Sequence, residues 1–519
     1  MRRLAEQALS RTSGAPLLEH NQVRILRDAD ANYPAWLTAI QSATKFVHFE
    51  NYIFDEDEVG WLFAEALVAK AREGVIVRVV RDWLGTWYQA SRSFWRHMTT
   101  AGVHVRCFNP PRIDGPIGWI TRDHRKMVAV DGSVAFVAGL CISKRWKGNP
   151  AHNISPWRDT GVEIRGPAVA DVHAAFGQIW ETMGDALPVT ELPGADSMAR
   201  AGEVALRVVA GTPTTAGMFR TDQLIAAVAR ESLWLTDAYF VGITPYVQAL
   251  LAAARDGVDV RLLIPHATDL RIIRTLSRSG LRPLLEGGVR IFEWNGSMMH
   301  AKTAVVDGRW SRIGSSNLNI ATFIGNYELD VAIDDVNVAR EMERMYVDDL
   351  SNATEIILSR NRVFHVALSS PELESQRTQQ YYDGLPRSKG SAAAAGAIRV
   401  ANAVSAAMTN HRILGPAEGG VLLVSGVVLL ALAVLGALWP PLLALPIALV
   451  ALYTGLALVW RAIRVRTRRR PLLPAAARMP PAATTSTVAP VSPPTTDAAN
   501  GVVHEKISEI SEPSKKHAP

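Results

Sequence analysis

The sequence predicts an α/β protein built from two similar halves that are followed by a transmembrane helical hairpin. Three observations lead to this prediction: a series of segments that occurs twice, strand-like runs that alternate with helical runs in both copies, and a nearly uncharged segment near the C-terminus. At 519 residues the chain is also too long for one hydrophobic core, because single cores rarely grow beyond roughly 250–300 residues.

The internal repeat defines two units, which we place at residues 20–190 and 205–360. Segments of like sequence recur in the same order in both, and each series ends in a His-x-Lys motif. The matching pairs are KFVHFENYIF (45–54) with LWLTDAYFV (233–241), AREGVIVRVV (71–80) with ARDGVDVRLL (254–263), and AGVHVRCF (101–108) with GGVRIFEW (287–294). We expect the two halves to share one fold.

Each half contains short runs rich in Val and Ile, which are typical of strands. Between them lie stretches of helical character such as WLFAEALVAKAREG (61–74). Alternation of this kind indicates α/β units, so we expect helices that cover a largely parallel sheet in each half.

Residues 419–460 form the predicted hairpin and contain no Asp, Glu, Lys or Arg. A membrane crossing needs around 20 residues, so the segment fits two helices at about 420–438 and 442–460, with a Trp-Pro-Pro turn at 439–441. Six arginines follow in 461–470 and mark that side as cytoplasmic. A hairpin returns to the side it left, so the N-terminal region should be cytoplasmic too. The alternative is a buried helical hairpin in a soluble domain.

The remaining segments are ends and connections. Residues 1–19 are basic but lack an apolar run, which argues against a secretory signal and favours a short amphipathic helix over a membrane anchor. Residues 361–418 form a connector with a possible amphipathic helix, either on the membrane surface or packed on the protein. Residues 461–519 should be a basic stretch followed by a disordered tail rich in Pro, Ala and Thr.

Charge and cysteine content narrow the class of partner and compartment. The net charge of +6 and pI of about 9.3 favour a phosphate-rich partner, either an anionic membrane or a nucleic acid. Cys107 and Cys141 lie in apolar, strand-like surroundings, so we expect both to be reduced and expect no cysteine metal site. Four aromatic side chains in loops either face lipid as a rim or pack within their loops: Trp83, Trp87, Tyr88 and Trp119.

The motif that repeats most closely indicates the chemistry. DHRKMVAVDG (123–132) and MHAKTAVVDG (299–308) place a His, a Lys two residues later and an Asp-Gly pair at identical spacing. Residues i and i+2 of a strand share a face, so each His should project beside its Lys. A lone His-x-Lys would be weak evidence, whereas its duplication indicates one site made from both halves.

Two His-Lys pairs that converge about a pseudo-twofold axis suit a phosphodiester. Lys126 and Lys302 can neutralise the non-bridging oxygens. One neutral imidazole, of His124 or His300, can attack phosphorus while the other, protonated, gives its proton to the leaving alkoxide. The lysines supply positive charge and we find no carboxylate cluster typical of Mg²⁺, so we expect no metal ion and no cofactor.

Both motifs and their surroundings resemble the phospholipase D superfamily, and the cues NYIFDEDEVG (51–60) and FIGNYELDV (323–331) resemble its bacterial cardiolipin synthases. The resemblance covers roughly residues 20–360. It implies two tandem αβα-sandwich halves and a membrane-bound transphosphatidylase that works through a covalent phosphohistidine. The implied reaction joins two phosphatidylglycerol molecules into cardiolipin and releases glycerol.

The resemblance also implies roles for individual residues. His124 would be the nucleophile and His300 the general acid and base, within a catalytic set listed in full as His124, Lys126, Asp131, His300, Lys302 and Asp307. Ser315 and Asn317 match positions that line the phosphate site, while Asp159 and Glu328 match carboxylates that orient the imidazoles, in a pairing left open. Asp131 and Asp307 favour a role in buttressing loops. Cys141 stands where Asn317 stands in the second half, which we interpret as a small buried residue rather than a second nucleophile.

The expected partners are phosphatidylglycerol and the bacterial cytoplasmic membrane, with the catalytic region and the tail on the cytoplasmic side. No nucleic acid is expected, and the sequence does not predict the oligomeric state. The alternative activity is that of a phospholipase D or phosphodiesterase that hydrolyses phospholipid headgroups. A catalytically silent lipid-binding scaffold is disfavoured because both histidines and both lysines are intact.

Overall fold

The computed structural model describes most of the two predicted halves. Described are residues 2–111, 120–152, 154–213, 215–359 and 362–367, with scattered positions between 427 and 460. The helices are α1 (Arg2–Ser13), α2 (Asp28–Gln41), α3 (Glu58–Arg72), α4 (Trp83–Thr86), α5 (Arg92–Thr100), α6 (Lys144–Lys147), α7 (Val169–Thr182), α8 (Gly217–Val228), α9 (Thr244–Arg255), α10 (Arg271–Glu286), α11 (Ile320–Gly325) and α12 (Val336–Leu350). The strands are β1 (Leu18–Arg27), β2 (Phe46–Asn51), β3 (Ile76–Asp82), β4 (His104–Phe108), β5 (Arg122–Asp123), β6 (Lys126–Val130), β7 (Val134–Ala138), β8 (Thr160–Arg165), β9 (Val204–Gly211), β10 (Ser232–Thr236), β11 (Asp259–Pro265), β12 (Arg290–Trp294), β13 (Thr303–Val306), β14 (Trp310–Gly314), β15 (Asn326–Asp334), β16 (Ala353–Ser359) and β17 (Arg362–Ala367).

The two halves contain sheets of the same strand order, which confirms the repeat. The first sheet runs β4-β3-β2-β6-β7-β8-β1. The second runs β12-β11-β10-β13-β14-β15-β9, so these seven strands match those of the first sheet place for place, and β16 and β17 extend the second sheet beyond β12. The start of β1 pairs with β9 and the remainder with β8, so one strand joins the two sheets.

The expectation of a largely parallel sheet is wrong, because each sheet is mixed. In each seven-strand core, β2-β3-β4 and β10-β11-β12 pair in parallel, and the other neighbours are antiparallel. Asp131 and Gly132 have φ angles of 54° and 67°, and Asp307 and Gly308 have 50° and 57°. Two successive left-handed residues form a tight hairpin turn, so the chain reverses directly and needs no crossover helix.

Helices cover both faces of each sheet. The first sheet packs against α2, α3 and α5, and the second against α8, α9 and α10. A further core lies between the two sheets and includes apolar side chains of α7 and α12. Strands with two covered faces show no apolar–polar alternation, and β2, β6 and β7 are accordingly buried along their whole length.

The predicted N-terminal helix is confirmed as α1. It packs on α8 and its Glu6 forms an ion pair with the buried Arg207 of β9. The predicted hairpin at 419–460 lies outside the described residues except at scattered positions, and the connector from 368 and the tail at 461–519 lie outside them entirely. Within the described part of the chain, no helix has both the length and the apolar character that a membrane crossing requires.

Candidate active site

The two motif histidines are brought to one site by reciprocal contacts between the halves. His124 lies just before β6, and its backbone N–H donates to the carbonyl of Tyr327 in β15 at 2.9 Å. His300 lies just before β13, and its N–H donates to the carbonyl of Arg158, which precedes β8, at 2.7 Å. Each histidine is therefore laid beside the segment of the other half that carries a carboxylate.

The carboxylate pairing that the sequence left open crosses between the halves. Glu328 of β15 places Oε2 2.9 Å from Nδ1 of His124, and Asp159 places Oδ2 2.7 Å from Nδ1 of His300. All four side chains are buried. A carboxylate that accepts Nδ1–H fixes the tautomer in which Nε2 carries the lone pair. Each imidazole is thereby oriented with the Nε2 lone pair turned away from its carboxylate.

The lysines complete a pattern that recurs in both halves. The ammonium groups of Lys126 and Lys302 each donate to the backbone carbonyl of their own motif histidine. Lys302 also lies 2.8 Å from Nδ1 and 3.1 Å from Nε2 of His300. Both ammonium groups are buried in the region where a phosphodiester would need countercharge.

A tyrosine packs against each His-Lys pair. The ring of Tyr52 meets His124 edge-on with centroids 4.9 Å apart, and Tyr239 meets His300 at 5.7 Å. Lys126 lies 5.2 Å from the Tyr52 ring centre, and Lys302 lies 5.9 Å from that of Tyr239. Aromatic faces attract cations, so these rings help to hold the lysines in place. Sequence reasoning assigned them no role, although they stand at equivalent positions of the repeat.

Burial and the lysine charges keep both imidazoles neutral in the empty site. Burial, with the charges of Lys126 and Lys302, holds the pKa of His124 well below its usual value. Burial and Lys302 lower the pKa of His300 to about 3, against the opposing effect of Asp159. Both lysines influence both histidines, which places the two motifs in one electrostatic environment. Burial also lowers the pKa of Lys302 to about 8.

The two carboxylates differ in how readily they accept a proton. Burial raises the pKa of Glu328 to about 7. Burial acts in the same direction on Asp159, but His300, Lys302 and the indole N–H of Trp146 outweigh it and hold the pKa of Asp159 below its usual value. Asp159 therefore stays ionised, while Glu328 exchanges a proton near neutrality.

The predicted phosphate-site residues lie beside Glu328. The hydroxyl of Ser315 donates to Oε2 of Glu328 at 2.5 Å. Asn317 is buried, and its side-chain carbonyl oxygen accepts no hydrogen bond among the described residues. Asp237 accepts the backbone N–H of Leu318 at 2.7 Å and so fixes the segment that carries Asn317. A buried carbonyl oxygen left without a donor in this way can accept a hydrogen bond from a ligand hydroxyl group.

Asp131 and Asp307 do not join the site, which corrects their place in the catalytic set. Asp131 accepts the backbone N–H groups of Thr44, Lys45 and Phe46 at 2.7–2.8 Å. Asp307 accepts those of residues 230–232 at the start of β10 in the same manner. The two aspartates therefore tie the hairpin turns to the neighbouring strands, the buttressing role that the turn position favours.

Two tryptophans near His300 were not predicted as site residues. The indole N–H of Trp146 donates to Oδ2 of Asp159 at 2.8 Å, and its ring lies 5.1 Å from His300. Trp157 lies 5.5 Å from His300 and 4.6 Å from Trp146. Both belong to an insertion present in the first half alone, so the repeat gave no signal for them.

Cys141 is buried in the core of the first half, and burial raises the pKa of its thiol. Its backbone carbonyl accepts the hydroxyl of Tyr33 at 2.6 Å. Cys107 and Cys141 are both free thiols. Among the described residues, no group of three or more His, Cys, Asp or Glu side chains is arranged to hold a metal ion.

Gly139 gives a first testable prediction about Asp159. A Cβ at residue 139 would lie 2.1 Å from Oδ1 of Asp159, so Gly139→Ala should displace the carboxylate from His300. We expect kcat to fall by about 10- to 100-fold, because one misplaced orienting group costs this much. Gly211→Ala is the control, since its Cβ would meet Glu328 at an ordinary 3.6 Å. Equal activity of the two folded variants would contradict the role of Asp159.

A family model and several known proteins match this chain. The family model described as "Cardiolipin synthase, PLD-like domain" matches residues 36–180 and 223–349, one range in each half. The chain belongs to this family. It is 33% identical over 356 residues to a cardiolipin synthase of Alkalihalophilus pseudofirmus, covering 67% of this chain and 70% of that protein. It is 32% identical over 366 residues to cardiolipin synthase A of Pseudomonas fluorescens, covering 69% and 74%.

A solved structure supports the fold. The phosphatidylserine synthase of Haemophilus influenzae superimposes with a TM-score of 0.53 at 14% identity and covers 73% of this chain and 97% of its own. At this identity the likeness concerns the architecture alone. The fold is a mixed α/β fold with the phospholipase D-like domain present twice. The family match and the related cardiolipin synthases make the chain a phospholipase D-type transphosphatidylase.

Proposed function

We propose that this protein is a membrane-bound cardiolipin synthase that condenses two phosphatidylglycerol molecules into cardiolipin and glycerol through a phosphohistidine. The observation that carries the proposal is the reciprocal His124–Glu328 and His300–Asp159 pairing around two buried lysines. Neutral, oriented imidazoles beside two cations supply a nucleophile, a proton carrier and countercharge for a phosphodiester. The names of the related proteins agree with this substrate class.

In the first step, Nε2 of His124 attacks phosphorus and forms the N–P bond. The P–O bond to the glycerol headgroup breaks, and His300 gives its proton to the departing alkoxide. In the second step, His300 takes the proton from a hydroxyl of another phosphatidylglycerol. That oxygen attacks phosphorus, the N–P bond breaks and His124 is restored. Lys126, Lys302 and Asn317 hold the non-bridging oxygens in both steps.

The difference between the carboxylates supports this division of roles. Asp159 stays ionised, so it stabilises positive charge on His300 and favours the imidazolium that donates the proton. Glu328 takes up a proton near pH 7 and supports such a charge less well, which suits a neutral nucleophile at His124. The phosphodiester adds negative charge between the lysines and so raises the pKa of His300 when substrate binds.

The proposed location is the bacterial cytoplasmic membrane, with the catalytic region and the tail on the cytoplasmic side. The uncharged segment at 419–460 and the arginines at 461–470 support this proposal. A reporter fused to the C-terminus should report a cytoplasmic position. A periplasmic position would contradict the hairpin.

Product analysis tests the proposed reaction. Full-length protein is incubated with phosphatidylglycerol labelled in the headgroup and in the acyl chains, with a chelator present. We expect labelled cardiolipin and free glycerol in equal amounts. Phosphatidic acid as the sole lipid product would favour the hydrolase instead, and absence of any turnover would overturn both activities.

The proton needed by the leaving group predicts a pH dependence. In the empty site this proton resides on Glu328, and substrate binding shifts it to His300 without changing the proton count. The kcat/KM should therefore fall as pH rises above about 7, and fall further above about 8 as Lys302 loses its charge. Lys302→Arg should abolish the second decline, because arginine stays protonated. Initial rates between pH 5 and 9.5 check this, and a kcat/KM that rises above pH 7 would contradict it.

A further inference from the structure

We propose that the aromatic surface formed by α4 and the residues after it docks on an anionic lipid bilayer and brings the catalytic site to the membrane. This inference rests on the proposed function, since it supposes a phospholipid substrate. The aromatic surface is defined as Trp83, Leu84, Trp87 and Tyr88. It is independent of the C-terminal apolar segment.

The aromatic surface is a ring stack that the rest of the described chain leaves open to solvent. Trp83 and Trp87 stack with centroids 4.6 Å apart, and Trp87 and Tyr88 lie 4.3 Å apart. The exposed fractions are 49% for Trp87 and 82% for Tyr88, and Leu84 is exposed beside them. Amphipathic rings of this kind favour the region of lipid headgroups, where one edge is apolar and the other is hydrated.

The backbone beneath the aromatic surface is held rigidly. Asp82 accepts the N–H groups of Leu84 and Gly85 at 2.8 and 3.0 Å, and Thr86 bonds to the carbonyl of Asp82 and to Arg81. The rings are therefore presented in a fixed orientation, which lowers the entropic cost of binding a surface.

The aromatic surface is also linked to the nucleophile through Gly85 and Tyr52. Gly85 approaches the backbone of Tyr52 so closely that a Cβ would lie 2.0 Å from its carbonyl oxygen, and the Tyr52 ring contacts His124. The Asp82 that caps α4 also bonds to Arg122 and to the N–H of Asp123, the residue before His124. A bilayer that meets these rings therefore lies next to the reacting histidine.

Charge identifies the bilayer as anionic. From residue 83 through residue 100 the chain contains two arginines and no Asp or Glu, and both arginines, Arg92 and Arg96 on α5, are exposed. Neighbouring acids are largely engaged: Asp55 pairs with Arg145 at 2.9 Å, and Glu56 accepts the N–H of Ser91 at 2.7 Å. Exposed aromatics flanked by arginines match an anionic lipid surface better than a protein or a neutral bilayer.

A probe at residue 88 tests the docking in the full-length protein. Tyr88→Cys in a Cys107→Ser background, with Cys141 buried, carries an environment-sensitive fluorophore and is reconstituted into bilayers. Val228→Cys, exposed at the end of α8, is the matched control. In phosphatidylglycerol bilayers we expect a blue shift and at least about twofold quenching by spin-labelled lipid at 88 and neither at 228, with weaker effects in phosphatidylcholine. An aqueous label at 88 would overturn the proposal. So would a shift without lipid that grows with protein concentration, which would assign the surface to a second copy.

Kinetics of Trp87→Ser/Tyr88→Ser separate docking from catalysis. We expect the KM for phosphatidylglycerol in bilayers to rise by about tenfold or more, with turnover of a monomeric short-chain phosphatidylglycerol unchanged. A loss on both substrates would show damage to the site and contradict a docking role. Insertion at 88 in a protein that makes no cardiolipin would leave the docking intact and refute the proposed function. Cardiolipin synthesis by a protein whose label at residue 88 remains in water would refute the docking and leave the proposed function intact.

Discussion

Replacing His124 with alanine is expected to lower the kcat of phosphatidyl transfer by about 10⁴-fold or more, because the variant loses the atom that forms the covalent bond. Its side chain is buried between Glu328 and Tyr52, so circular dichroism and thermal unfolding must show that the variant is folded. Transfer by this variant at more than about one per cent of the unaltered rate would remove His124 from the role of nucleophile.

Trapping the intermediate makes the same prediction more direct. Lipid labelled with ³²P in the phosphate, quenched during turnover, should leave an acid-labile N–P adduct on His124. His300→Ala should accumulate this adduct when the substrate has an acidic phenol as leaving group, because the second step then lacks its base. Cys141→Ala should leave the adduct unchanged, since the buried Cys141 has no part in the chemistry. Label recovered on residue 300 instead would exchange the roles of the two histidines.

The site residues that could be identified from the sequence belong to motifs that span only a few neighbouring positions. Each motif places a His two residues before a Lys, so strand geometry alone sets His124 beside Lys126 and His300 beside Lys302. Asp131 and Asp307 belong to the same local pattern. Their position at an Asp-Gly turn indicated a structural role, and the structure shows each bound to backbone amides.

Features that depend on how the halves pack were beyond sequence reasoning. Glu328 is 204 residues from His124, and Asp159 is 141 residues from His300, so no spacing rule joins them. The pairing follows from the parallel bridges that set β5 beside β15 and Arg158 beside Met299. The alternation of helical and strand-like runs predicts a largely parallel sheet, whereas the three-residue turns at 131–133 and 307–309 make β7 and β14 antiparallel to the strands before them.

The sequence shows that the two halves differ around their motifs, but only the structure explains what the differences do. Ser315 orients Glu328, whereas the equivalent residue of the first half is Gly139, which has no side chain to orient Asp159. Trp146 supplies the missing donor from an insertion. The shorter Asp159 approaches so closely that only glycine fits at 139. The two orienting carboxylates are thus held by different neighbours, and these neighbours give the two carboxylates different proton affinities.

This difference predicts that Asp159→Asn and Glu328→Gln impair the reaction in different ways. Asp159→Asn should lower kcat by about 10³- to 10⁴-fold with phosphatidylglycerol, because His300 loses the ionised partner that stabilises its imidazolium. Glu328→Gln should cost about 10²- to 10³-fold by misorienting the nucleophile. It should also remove the break in the pH profile of kcat/KM near pH 7, because the group that titrates there is gone.

A substrate with an acidic phenol in place of glycerol distinguishes the two roles. The phenolate leaves without a proton, so the first step of Asp159→Asn should recover to within about tenfold of the unaltered enzyme. Nucleophilic attack is still required, so the first step of Glu328→Gln should remain slow. The burst of phenol in rapid-mixing experiments measures that step alone. Recovery by Glu328→Gln with no recovery by Asp159→Asn would show that His300 attacks phosphorus and that His124 carries the proton.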